Sequence, residues 1–107
     1  MAVVISTVEE YNSYKFCKTR SSKLMVVKFG AEWCGPCKKI NDEYNNLHKV
    51  YNATFLHVDV DELADLPDGA DVQLLPTFKF FKNGVLLETF SGSNITKLKS
   101  IIDKLLI

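Results

Sequence analysis

The chain has 107 residues, of which 47% are hydrophobic and 24% charged, and this composition argues against intrinsic disorder. We expect one globular domain over residues 1–107. Thirteen basic residues balance thirteen acidic ones, so the composition does not favour binding to nucleic acid.

The amino-terminal stretch lacks the basic segment and long apolar run of a signal peptide, and no later apolar run is long enough to span a bilayer. Three cysteines are too few for a disulfide-stapled secreted fold. These features predict a cytoplasmic protein with no membrane partner.

Hydrophobic patterning predicts strands and helices that alternate along the chain. The expected strands cover residues 3–5, 24–29, 54–60, 77–82 and 85–90. A first helix is expected after Ser6 or Thr7, and a second from about Cys37 to Val50. One or two helical turns are expected at 62–66, and a last helix after Ser93 or Asn94.

The order of these elements defines a fold class. The run 24–29 is almost continuously apolar, which indicates a strand covered on both faces. Asn83-Gly84 is a strong signal for a two-residue hairpin, since both residues tolerate a positive φ. We therefore predict an α/β fold with a central mixed five-stranded sheet, an antiparallel carboxy-terminal hairpin and four flanking helices.

The segment Trp33-Cys34-Gly35-Pro36-Cys37 is the motif most suited to chemistry. It lies between a buried strand and the following helix, where free N–H groups and the helix dipole favour a thiolate. The pKa of the first cysteine is therefore expected to be lowered. Gly35 permits a tight turn, and Pro36 suits the first turn of a helix. A redox dithiol explains this pattern better than a zinc site, because only Cys17, His48 and His57 remain as further ligands and none has ligand spacing. Accidental spacing is the other alternative.

The motif and four later segments resemble thioredoxins over essentially the whole chain. The active-site stretch is Phe29-Gly30-Ala31-Glu32-Trp33-Cys34-Gly35-Pro36-Cys37-Lys38. The later segments are Val58-Asp59-Val60-Asp61, Leu75-Pro76-Thr77-Phe78, Phe81-Lys82-Asn83-Gly84 and Phe90-Ser91-Gly92. The resemblance is nearer to the short cytosolic thioredoxins of eukaryotes than to disulfide isomerases.

The resemblance implies a thiol–disulfide oxidoreductase and a role for each matching residue. Cys34 would attack a client disulfide and Cys37 would resolve the mixed disulfide. Pro76 would be a cis-proline facing the dithiol, and the backbone at Leu75 would pair with an extended client segment. Pro76 and Thr77 would also contribute to client binding. Trp33 would flank the dithiol, and Gly92 would keep the groove open.

The resemblance also implies partners and a source of electrons. Thioredoxin reductase would recycle the protein with NADPH, so no bound cofactor or metal is expected. Clients would be disulfide-containing proteins such as peroxiredoxins, and the protein would act as a monomer.

One position departs from the family in a way that bears on function. Thioredoxins usually place a buried acid in the strand before the active site, and this chain has Lys28 there. Lys28 either extends its ammonium to solvent and plays no part, or is partly desolvated and exchanges protons with the site. His57 is a second candidate for this proton transfer, although a packed, satisfied histidine is the simpler interpretation.

Two further functions therefore stay open beside disulfide reduction. A charged Lys28 would favour the thiolate and make the protein a more oxidising disulfide exchanger. Alternatively, the groove serves a binding or chaperone-like module in which redox chemistry is secondary. Cys17 is expected to be a buried structural cysteine, with a regulatory thiol as the alternative. His48 is expected at the surface.

Overall fold

The computed structural model describes residues 1–107 and contains a five-stranded sheet with helices on both faces. The strands are β1 (Val3–Val4), β2 (Met25–Gly30), β3 (Thr54–Asp59), β4 (Thr77–Lys82) and β5 (Val85–Ser91). The α-helices are α1 (Val8–Phe16), α2 (Lys18–Ser21), α3 (Gly35–Asn46) and α4 (Ile95–Leu105). Short 3₁₀ helices cover Leu47–Lys49 and Pro67–Gly69. None of the helices is long and apolar enough to cross a membrane.

The sheet is mixed, and its strand order is β1-β3-β2-β4-β5. The first three strands are parallel, whereas β4 runs antiparallel to β2 and β5 runs antiparallel to β4. Asn83 and Gly84 both have positive φ in the hairpin between β4 and β5. The predicted fold class is confirmed.

Two apolar layers sandwich the central strand β2, all six residues of which are buried. One layer joins Val26, Phe78 and Phe80 to side chains of α3 and α4. The other joins Val27 and Phe29 to α1 and to the segment that follows β3. The two faces of β2 thus anchor opposite halves of the molecule, and the end of β2 leads directly into the cysteine motif.

Side-chain caps determine where the longer helices begin. Thr7 is the N-cap of α1 and accepts the Glu10 N–H at 3.0 Å, while Glu10 accepts the N–H of Ser6, the residue before the cap, at 2.7 Å. Asn94 caps α4 by accepting the Lys97 N–H at 3.1 Å. Each cap satisfies backbone donors that have no partner inside the helix.

Two local predictions were wrong. Residues 61–65 form turns and not a helix, because Leu66 precedes Pro67 and is held extended at φ −72° and ψ 118°. Cys17 is exposed and not buried, because its extended backbone (ψ 124°) separates α1 from α2 and interrupts the expected helical face. Its Sγ lies 3.2 Å from Thr19 Oγ1.

Candidate active site

Cys34 and Cys37 form a disulfide at the first turn of α3, with their Cα atoms 5.3 Å apart. Helix α3 begins at Gly35, two residues before the predicted start, with Pro36 in its first turn. Cys34 is the N-cap residue, and its Sγ accepts the backbone N–H of Cys37 at 3.2 Å. Only 4% of Cys34 and 2% of Cys37 are exposed. The sulfur of Cys34 is thereby held at the positive end of the helix dipole, where a thiolate is stabilised.

A groove of about 450 Å³ opens beside Cys34 and has mainly apolar walls. Trp33 forms one side; it is 70% exposed, and its indole N–H donates to Asp61 Oδ2 at 2.7 Å. The opposite wall is the loop 72–75, which contributes Leu74 and Leu75. The groove can therefore hold an extended apolar segment of another protein against the buried dithiol.

The structure brings the remaining predicted groove residues to the same side of the molecule. The Leu75–Pro76 peptide bond is cis, and Gly92 N–H donates to the Pro76 carbonyl at 2.9 Å. Gly92 has φ +123°, a conformation that other residues adopt only with strain. Thr77 is buried behind this loop, where its hydroxyl donates to the Leu74 carbonyl at 2.6 Å. Thr77 thus supports the groove from behind.

Lys28 is fully buried, so the expectation that its ammonium reaches solvent is wrong. It projects from β2 toward α3 and not toward the surface, and Nζ donates to Asn41 Oδ1 and, at 3.1 Å, to the Cys37 carbonyl. The centroid of the Tyr44 ring lies 5.9 Å from Lys28 Nζ. Burial lowers the pKa of Lys28 to about 8. A buried ammonium is therefore hydrogen-bonded to the backbone of Cys37.

His57 stands beside Lys28 on the neighbouring strand and lines a second cavity of about 360 Å³ with Asn41 and Asp59. Burial and the positive charge of Lys28 lower the pKa of His57, and Asp59 opposes this effect. A Cβ added to Gly30 would lie 3.2 Å from Cys37 Sγ and 3.4 Å from His57 Cε1. The glycine thus lets the cysteine sulfur and the imidazole approach the same small space.

Sequence reasoning missed several residues of the site. Asn41, the partner of Lys28, follows Cys37 by four residues, and this spacing places both on one face of α3. Leu74 stands beside Leu75 before a proline, and such an apolar pair in a loop is a sign of a binding surface. Asp61, the partner of the Trp33 indole, belongs to the segment 58–61 that carries the family resemblance, but no role was predicted for it. No cluster of His, Cys, Asp or Glu has the arrangement of a metal site.

A buried disulfide between cysteines three positions apart, at a helix N-terminus and beside an apolar groove, defines a thiol–disulfide exchange site on an α/β sheet. The thioredoxin family model matches residues 2–104. A thioredoxin of Ictalurus punctatus is 42% identical over 100 residues, which cover 90% of this chain and 94% of the relative. A human thioredoxin is 46% identical over 84 residues, which cover 78% of this chain and 80% of the relative.

Solved thioredoxin structures share the fold over nearly the full length. A Plasmodium falciparum thioredoxin superposes with a TM-score of 0.87 at 36% identity, covering 96% of this chain and 98% of the other. The crystal structure of a poplar thioredoxin h gives a TM-score of 0.90 at 33% identity, covering 98% and 96%. The chain belongs to the thioredoxin family and is a protein thiol–disulfide oxidoreductase.

Proposed function

We propose that the protein is a dithiol reductant of protein disulfides, with Cys34 as nucleophile and Cys37 as resolving cysteine. The Cys34 thiolate attacks one sulfur of a client disulfide, forming a mixed disulfide and releasing the other sulfur as a thiolate. Cys37 then loses its proton and attacks Cys34 Sγ. This step breaks the mixed disulfide, transfers two electrons to the client in total and leaves the Cys34–Cys37 disulfide. The observation that carries the proposal is this buried disulfide at the N-terminus of α3, beside an open groove.

The groove residues bind the client and orient its disulfide. Trp33, Gly35 and Pro36 line one side of the groove, and Leu75 lines the other. The Leu75 backbone, turned by the cis bond to Pro76, is suited to pair with an extended client segment. Gly92, which has no side chain, keeps this end open while its N–H donates to the Pro76 carbonyl, and the Thr77 hydroxyl holds the Leu74 carbonyl from behind.

The oxidised protein needs an external source of electrons, since the chemistry resides in two cysteines and requires no bound cofactor. We assign this role to an NADPH-dependent thioredoxin reductase, as the family relationship supports. Clients are disulfide-containing proteins such as peroxiredoxins. The protein acts as a monomeric single domain over residues 1–107, and it carries electrons in the reducing environment of the cytoplasm.

Insulin reduction by dithiothreitol tests the function. We expect wild type to accelerate the reaction well above background, Cys34→Ser to be at background, and Cys37→Ser to accumulate a mixed disulfide that is visible by mass spectrometry. Cys17→Ser, which removes the exposed third thiol, is the matched control and is expected to react like wild type. A binding or chaperone-like module would give a different result. Wild type would then not reduce insulin, and Cys34→Ser would still prevent an unfolded client protein from aggregating.

Buried Lys28 favours a second candidate function, a more oxidising disulfide exchanger. Its ammonium donates to the carbonyl of Cys37 from within the protein, where charge is weakly screened. A positive charge there stabilises thiolates and hence the reduced form. His57, beside it, is suited to accept the Cys37 proton because burial, together with the Lys28 charge, lowers the pKa of the imidazole and keeps it neutral.

Equilibration with glutathione at pH 7 tests the oxidising role. We expect Lys28→Met to lower the reduction potential by about 30 mV, a tenfold change in the equilibrium constant. His57→Ala is expected to slow resolution of the mixed disulfide without the same change in potential. Equal potentials for wild type and Lys28→Met would remove the second candidate.

A further inference from the structure

One wall of the client groove is a loop without regular secondary structure. Residues 70–76 contain neither helix nor strand, yet Val72, Gln73, Leu74 and Leu75 line the groove. Such a segment has no ladder of backbone hydrogen bonds to hold its shape, so its conformation depends on side chains from elsewhere.

Two buried side chains of β4 bond to this segment: Thr77, through the Leu74 carbonyl, and Lys79. Lys79 lies on the face of the sheet that carries α1, and only 5% of the residue is exposed. Its Nζ donates to the Asp68 carbonyl at 2.7 Å and to Asp71 Oδ1 at 2.6 Å. The Phe29 ring lies 5.7 Å from Nζ, so the ammonium has an apolar surface beneath it and the loop above it. Lys79 therefore holds two points of the segment just before the groove wall.

The same segment is attached to α1 through the other side of Asp68. Asp68 Oδ2 accepts from Tyr11 Oη at 2.7 Å and from Lys15 Nζ at 2.8 Å. Asp68 is thus bonded to α1 by its carboxylate and to β4 by its carbonyl, and Asp71 is the residue nearest the groove that Lys79 itself holds. The ammonium of Lys79 holds the pKa of Asp71 below its usual value, as an engaged ion pair requires.

We propose that Lys79, through Asp71 and Asp68, is a positioning residue that sets the shape of the groove wall at 72–75 and thereby the affinity for extended client segments. This proposal rests on the proposed reductase function and names a determinant of its client recognition. Burying the Lys79 ammonium removes its hydration, which is unfavourable. Its hydrogen bonds to the Asp68 carbonyl and to Asp71 Oδ1 offset this loss. Lys79 touches neither sulfur, so it acts on client binding and not on the exchange chemistry.

Two disulfides of different size distinguish positioning from general stability. Insulin presents chain segments to the groove, whereas hydroxyethyl disulfide has no peptide backbone to bind there. For Lys79→Met we expect the insulin KM to rise about fivefold or more, with kcat changed less, because a charge-assisted bond is lost at the groove wall. The rate with hydroxyethyl disulfide is expected to fall much less, so the ratio of the two rates drops.

Variants elsewhere supply the control and the alternative. Lys104→Met breaks the exposed Lys104–Glu88 pair (2.6 Å) on α4 and is expected to leave the ratio unchanged. Should Lys79→Met not fold, Asp71→Ala removes the loop acceptor from an exposed position and is expected to lower the ratio in the same direction. Asp71→Asn keeps an acceptor oxygen, so we expect it to lower the ratio of the insulin rate to the hydroxyethyl disulfide rate less than Asp71→Ala does.

Amide hydrogen exchange at residues 72–75 separates failure of this proposal from failure of the proposed function. We expect exchange to be faster in Lys79→Met and Asp71→Ala than in wild type and Lys104→Met. Wild type that reduces neither disulfide would refute the reductase function, while the exchange rates would still report on the loop. An unchanged ratio with unchanged exchange in folded variants would overturn the role of Lys79.

Discussion

Lys28 places an ionisable group where the sheet and α3 exclude water. Its two acceptors, Asn41 Oδ1 and the Cys37 carbonyl, favour the ammonium form, whereas burial disfavours it. Burial is the larger influence, since it lowers the pKa of Lys28 from 10.5 to about 8. Lys28 is therefore charged at neutral pH, and its burial as an ammonium lowers the free energy of unfolding. The pH dependence of that free energy measures the size of the effect.

The stability of the protein is expected to depend on pH through Lys28. Between pH 8 and 10.5 the folded state has released the Lys28 proton while the unfolded state keeps it, so the unfolded state binds more protons and the free energy of unfolding rises with pH. Relative to Lys28→Met, wild type should gain about 1–3 kcal/mol between pH 7 and 10. Urea denaturation of both oxidised proteins across this range measures the difference.

The comparison stops at about pH 10 because two buried tyrosines act in the opposite direction above it. Burial raises the pKa of both Tyr11 and Tyr44, so the unfolded state loses their protons first and stability falls with further pH. Both tyrosines are present in the two proteins and cancel in the difference. Parallel pH profiles for wild type and Lys28→Met would show that Lys28 titrates as an ordinary lysine.

At the scale of elements, the junction between β2 and α3 is the tightest part of the site. Gly30 ends β2 where the Cys37 sulfur from α3 and the His57 ring from β3 both approach it, so the three elements meet without a side chain between them. Gly35, at the start of α3, has no atom within 4 Å of the place where its Cβ would lie. The two glycines therefore offer a controlled comparison: a Cβ at Gly30 would meet neighbouring atoms, and a Cβ at Gly35 would not.

Alanine substitutions at these glycines should have different effects on stability. Gly30→Ala pushes its methyl group against Cys37 Sγ and should lower the free energy of unfolding by about 1–3 kcal/mol, as overpacking does. Gly35→Ala meets open space in a helix and should change it by about 0.5 kcal/mol or less, or raise it. Chemical denaturation of the oxidised proteins provides the measurement. Equal effects at the two positions would mean that the junction relaxes freely around Gly30.

Sequence patterns predicted the elements that have a clear local signal, and failed where distant contacts decide the conformation. The continuous apolar run of β2 predicted a strand covered on both faces, and Asn83-Gly84 predicted the hairpin; both predictions are confirmed. The cis bond at Pro76 was expected from the family resemblance alone, because local sequence favours the trans form. The chain between β3 and β4 lacks periodicity, and its shape depends on bonds from Lys79 and Thr77 that no local pattern encodes.

Over the whole molecule, the chemistry and its support lie on different faces of one sheet. Lys28 and His57 lie on the face that carries α3, where Lys28 donates to the Cys37 carbonyl and His57 lies beside Lys28. Lys79 lies on the face that carries α1, where it holds the loop that forms the groove wall. Because β2 and β4 are adjacent strands, a rigid central sheet keeps the sulfur atoms and the groove in register. Changes to reactivity and changes to client choice are therefore separable by mutation.

The N-cap bond at Cys34 has a consequence for turnover. A sulfur atom retains lone pairs as a thiolate, in a mixed disulfide and in the closed disulfide, so it can accept the Cys37 N–H in each of these states. The helix end is then never left without its acceptor while the covalent partner of the sulfur changes. We therefore expect the first turn of α3 to keep its backbone conformation from one client to the next.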